Sequence, residues 1–87
     1  MNTPEFPKLH TFALPELGAG EMPIVVSLWL VEVGDEVTEG DRLIEVCFGA
    51  ASVDVPAPVS GRLVEALVAE DDVLQVGQKL GVIRASV

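Results

Sequence analysis

The chain has no tyrosine, one tryptophan, one histidine and one cysteine. A lone Cys47 excludes an internal disulfide, which suits a reducing compartment, and the expected location is cytoplasmic. With His10 as the only histidine, neither a Ser-His-Asp triad nor a histidine metal cluster can be assembled. Positive charge is equally scarce: five Lys and Arg stand against fourteen Asp and Glu, for a net charge of -9. Such a chain cannot neutralise a run of phosphates or an anionic membrane surface, so nucleic acid and membrane are excluded as partners. No apolar stretch is long enough to span a bilayer, and Met1 to Lys8 lacks the basic and apolar regions of a signal peptide. A glycine-rich phosphate loop is also missing.

What is present is aliphatic. Hydrophobic residues make up 49% of 87, which excludes a disordered acidic tail and points to one small domain with a modest core. Short apolar or alternating runs recur at Phe12 to Leu14, Ile24 to Val33, Arg42 to Cys47, Ser52 to Val55, Gly61 to Val68 and Leu80 to Ile83. Turn residues separate them, and Pro15, Pro23, Pro56 and Pro58 sit at their ends, where a missing N–H does least harm. This spacing predicts a small all-β sandwich or barrel. Residues 1–10, with Pro4 and Pro7, read as a leader or linker remnant, 11–84 as the domain and 85–87 as a tail.

The chain also repeats itself. Val37-Thr38-Glu39-Gly40-Asp41-Arg42-Leu43 resembles Leu74-Gln75-Val76-Gly77-Gln78-Lys79-Leu80, at an offset of 37 residues. At that offset Val26 matches Leu63, Leu30 matches Leu67, Val31 matches Val68, Asp35 matches Asp72 and Val46 matches Ile83. Two such halves predict approximate two-fold symmetry, each half unable to bury its apolar face alone. Gly40 and Gly77 are expected in left-handed turn conformations.

These residues resemble the lipoyl/biotinyl-attachment family. Phe12-Ala13-Leu14-Pro15-Glu16-Leu17-Gly18 is similar to the opening of lipoyl domains, and Leu28 to Asp41 is similar to their "WLVKEGDxVxxGD" signature. Val53-Asp54-Val55-Pro56-Ala57-Pro58-Val59-Ser60-Gly61 resembles the strand that leaves the attachment hairpin, and Gln75 to Ile83 matches the family's end. The resemblance implies a flattened eight-stranded barrel-sandwich of two four-stranded sheets with pseudo-two-fold symmetry. It also implies a lysine at a hairpin tip, acylated by lipoate or biotin and working in 2-oxoacid dehydrogenase-type acyltransferases.

The tip departs from that pattern. Laying the family's "EVETDKATVEVP" over Glu45 to Pro56 places the attachment lysine on Ala50, flanked by Phe48, Gly49 and Ala51. An alanine methyl offers no nucleophile for amide formation. The remaining lysines, Lys8 and Lys79, fall where the family has no attachment site. Cys47 has no Lys, Arg or His within four residues to activate it. Asp35, Asp41, Asp71 and Asp72 read as turn residues rather than cation ligands, and Trp29 as core or a packed edge.

The expectation is therefore a non-enzymatic lipoyl-like domain with no cofactor and no metal. Its work is interaction or structure, through the apolar Cys47–Ala51 tip or the acidic surface. The alternative is a genuine lipoyl or biotin carrier domain, seen as an engineered apo form or as a fragment of a larger acyltransferase. The departure of Cys47, Phe48 and Gly49 together with Ala50 favours natural divergence over a designed lysine removal.

Overall fold

The computed structural model describes residues 8–86. Among these there is no helix; the elements are eight strands. They are β1 (Lys8–Ala13), β2 (Ile24–Trp29), β3 (Glu36–Val37), β4 (Arg42–Phe48), β5 (Ala51–Pro56), β6 (Gly61–Ala66), β7 (Val73–Leu74) and β8 (Lys79–Ala85). Two four-stranded antiparallel sheets result, ordered β1-β8-β6-β3 and β5-β4-β2-β7. They enclose one core in which Leu14, Val26, Leu43, Ile44, Val46, Leu63, Leu80 and Ile83 are almost wholly buried. No polar or charged side chain among the described residues is buried with them.

Strand alternation sets which residues reach that core. Consecutive Leu43 and Ile44 both enter it because the β4–β5 register shifts between Arg42 and Ile44. A bulge puts two residues of one strand opposite one of its neighbour and re-aims the side chains beyond it. The β1–β8 pairing shifts at the matching place, between Phe12 and Ala13 opposite Gly81 and Lys79. Likewise the shift between Val26 and Leu28 in β2 has its counterpart between Leu63 and Glu65 in β6.

The 37-residue repeat extends to individual hydrogen bonds. Leu30 N–H donates to Leu43 O (2.8 Å) and Leu67 N–H to Leu80 O (2.9 Å). Glu32 N–H donates to the Asp35 carboxylate and Ala69 N–H to that of Asp72. Thr38 N–H donates to the Asp41 carboxylate and Gln75 N–H to the Gln78 amide oxygen. Gly40 (φ 93) and Gly77 (φ 87) hold the left-handed turns expected of them, with N–H groups bonded to Ala57 O and Leu14 O. The aspartates thus satisfy turn backbone, as their sequence context indicates.

Three sequence expectations need correction. β1 begins at Lys8, so Lys8, Leu9 and His10 belong to a strand paired with β8 and not to a leader; residues 1–7 lie outside the described residues. Ala85 closes β8 and is not part of a tail. The apolar run Ile24 to Val33 ends as a strand at Trp29, because Leu30 N–H turns to Leu43 and the Asp35 carboxylate caps the following turn. The two-residue strands β3 and β7 lie within the repeated turn motifs and complete the eight expected, though they are too short to leave an alternation in the sequence.

Candidate functional site

The β4–β5 hairpin closes through Gly49 and Ala50, a two-residue loop between the paired Phe48 and Ala51. Gly49 has φ 58, whereas Asp71 is the one non-glycine with positive φ among the described residues, so Ala50 does not share it. Those signs are those of a type II′ turn, whose first central position takes glycine and whose twist suits the flanking strands. Gly49, Ala50 and Ala51 are exposed, while Phe48 is half-buried and packs against the core.

A second segment joins this tip. A Cβ at Gly49 would lie 2.9 Å from Met22 Sδ, so the half-exposed Met22 thioether rests directly over the turn. Met22 is held by a turn in which its N–H donates to Ala19 O (3.1 Å), with Ala19 buried beneath. The end of the domain therefore presents Met22, Phe48, Ala50 and Ala51, an apolar surface with no charged side chain on the turn itself. Sequence reasoning missed Met22, because Gly18 to Pro23 has no periodicity that would place it there.

No lysine of the chain stands at this tip. Lys8 opens β1 opposite Ala85, and Lys79 opens β8 opposite Ala13, so both belong to the other sheet. Cys47 is free and half-buried on the outward side of β4, between Val25 and Ser52 across the neighbouring strands. His10 is exposed on β1, and no group of three or more His, Cys, Asp or Glu among the described residues could hold a metal ion. Trp29 is half-buried against the core, edge-on to Phe12 with ring centroids 6.3 Å apart, and its indole N–H donates to Val68 O (2.8 Å).

An eight-stranded sandwich of two like halves, one of which ends in a tight projecting hairpin, is the architecture of a swinging-arm attachment domain. The chain belongs to the biotin/lipoyl family, described as "Biotin-requiring enzyme", which matches residues 10–83. It is 41% identical over 69 residues to the dihydrolipoyllysine-residue acetyltransferase component of the pyruvate dehydrogenase complex of Bacillus subtilis, covering 79% of this chain and 16% of that protein. It is 39% identical over 64 residues to the component of the same name from Corynebacterium glutamicum, covering 74% of this chain and 10% of that protein. With the lipoamide acyltransferase component of the branched-chain alpha-keto acid dehydrogenase complex of Pseudomonas aeruginosa it shares 35% identity over 71 residues, 82% of this chain and 17% of that one. The chain thus spans less than a fifth of the length of these relatives. A solved single-chain, multi-domain long-chain acyl-CoA carboxylase contains the same fold, with a TM-score of 0.73 at 17% identity over 99% of this chain and 8% of that one.

Proposed function

We propose that this chain is a lipoyl-like domain that is not modified and that acts as a non-catalytic interaction or structural module. Ala50 takes the position at which carrier domains present their acylated lysine. The observation that carries this reading is the Gly49–Ala50 turn, which lacks an amine while both lysines of the chain lie in the opposite sheet. Lipoyl or biotinyl transfer joins a carboxyl group to a lysine Nζ as an amide, and neither a methyl group nor a backbone nitrogen in a turn can replace that amine. The apolar tip, with Met22 seated over Gly49, is then free to serve as a contact surface for a protein partner.

A second reading keeps a carrier role, with the domain as one part of a longer acyltransferase. What favours it is the small share of the acyltransferase relatives that the chain matches.

Intact mass after co-expression with lipoate and biotin ligases tests the first reading. The natural chain is expected to gain no adduct. Ala50→Lys, alone and together with Gly49→Asp, is expected to gain one, which establishes that the hairpin still fits the ligase. An adduct on the natural chain overturns the proposal and directs attention to Lys79 or Lys8.

A further inference from the structure

The two halves share a backbone but not a surface, and the difference points to a partner. On the outer side of the β1-β8-β6-β3 sheet, cross-strand pairing lines up Leu9, Arg84, Arg62 and Glu36. The 37-residue equivalents of Arg84 and Arg62 are Cys47 and Val25, and the matching row on the other sheet reads Ser52, Cys47, Val25 and Val73. The next row on the first sheet is Thr11, Val82 and Glu65, whereas on the second it is Asp54, Glu45 and Leu28. One outer face therefore carries two arginines in the row where the other carries an uncharged, partly apolar row bordered by acids.

Beside those acids lies an open groove of about 520 Å³ lined by Leu30, Val31, Asp41, Arg42, Glu45 and Asp54. Arg42 spans 3.5 Å to Asp54, which leaves Asp41 and Glu45 as its uncompensated charges. Asp41 accepts from Thr38 N–H, which fixes its carboxylate in the turn without neutralising it, so Asp41 and Glu45 both remain to meet a cation. Leu30 (41% exposed), Leu28 (38%) and Val73 (66%) stand out of this face toward solvent. At the equivalent place on the other sheet Leu67 is exposed to a similar degree (45%), but the residues that correspond to Asp41, Glu45 and Asp54 are Gln78, Val82 and Thr11. Exposed leucine is thus common to both faces; acids at these three groove positions belong to one, while the acids of the other face, Glu65 and Glu36, stand in rows that also carry Arg62 and Arg84 or end at Val82.

We infer that the outer face of the β5-β4-β2-β7 sheet docks a basic amphipathic segment of a protein partner. Its apolar side chains would cover Leu28, Leu30 and Val73, and its Lys or Arg groups would meet Glu45 and the rim of the groove. This rests on the reading of the chain as an interaction module and names the surface and the chemistry of what it binds. A charge of -9 over the whole chain steers a basic partner toward the domain and opposes pairing with a second copy, which carries the same charge. Acids placed beside exposed apolar residues then give orientation, since complementary charge fixes register more than it adds affinity.

The probe is a synthetic amphipathic helix with leucines on one face flanked by arginines, titrated into the isotope-labelled 87-residue chain while amide chemical shifts are followed. Shifts are expected in β2, β4 and β5, with Glu45→Lys and Leu30→Ser each weakening binding about tenfold. Glu65→Lys changes net charge equally and Leu67→Ser removes the equivalent leucine, both on the opposite face, and each is expected to alter binding less than about twofold. Equal weakening by both pairs means diffuse attraction to an acidic protein and overturns the inference, as do shifts confined to the hairpin tip or self-association through this face. The intact mass of the same sample separates the two proposals. An unmodified chain that ignores the peptide sinks the docking face alone, whereas an acyl adduct sinks the unmodified reading whatever the titration gives.

Discussion

Gly34 and Asp71 occupy one place in the two halves of the domain: both have left-handed backbone, at φ 102 and 72, and their N–H groups donate to Leu63 O (2.7 Å) and Val26 O (3.0 Å). The donors are 37 residues apart and so are the acceptors. One half fills the position with the residue that tolerates it and the other with an aspartate. Left-handed backbone costs a residue with Cβ roughly 1–2 kcal/mol, less for Asp than for most. Glycine returns part of that gain through a looser unfolded chain, about 0.4–1 kcal/mol. Asp71→Gly is therefore expected to raise stability by up to about 1 kcal/mol, read as a higher urea midpoint with an unchanged slope. A loss of stability would mean that the Asp71 carboxylate supplies more than its backbone costs.

The capping aspartates give a test of independence. Asp35 accepts from Glu32 N–H and Asp72 from Ala69 N–H, in separate halves. Replacing either by Ala leaves a turn N–H to water, at a cost of about 1 kcal/mol. Because the two share no partner, the double variant is expected to lose the sum to within about 0.5 kcal/mol in thermal unfolding.

Gly61 is held by packing, not by dihedral angle. It is buried, its φ is not positive, and a Cβ there would run into the carbonyl oxygen of Arg84 and close on Ala85 Cα at 2.9 Å. Backbone cannot swing aside as a side chain can, so Gly61→Ala is expected to destabilise by about 3 kcal/mol or more. Gly77→Ala meets open space and bears only the cost of its φ of 87, roughly 1–2 kcal/mol. Chemical denaturation of the pair should rank them in that order.

Trp29 ties β2 to the end of the other half through its indole N–H and Val68 O. Trp29→Phe keeps a ring against Phe12 but removes the donor and some packing volume. The expected loss is about 1–2 kcal/mol, monitored by circular dichroism because the variant has no tryptophan to report.

At the hairpin tip, Gly49→Ala adds a methyl against the Met22 thioether. That side chain can move, so the remaining cost is the strain of a glycine-favouring backbone at φ 58, about 1–3 kcal/mol. Met22→Ala alone is expected to leave stability within about 0.5 kcal/mol, since Met22 is half exposed. A much larger effect in heat denaturation would show that Met22 holds the turn in place.

The fold class, the two-fold repeat and the turn glycines were all legible along the chain. Each rests on short-range physics: alternation decides which face is apolar, and Gly40 and Gly77 relieve a local steric restriction. Ala50 was placed at the tip by the family resemblance and not by any local signal; the structure shows it in the two-residue loop between the paired Phe48 and Ala51. Other features exist only once distant strands have met. β3 and β7 are strands because partner strands pair with them, not because two residues prefer to be extended. His10 joins a strand for the same reason, through pairing with Ile83 at the far end of the chain. The approach of Met22 to Gly49 and the contrast between Arg84–Arg62 and Cys47–Val25 arise from register across strands distant in sequence. Register is set by which side chains the whole core can bury, and no single stretch of chain contains that information.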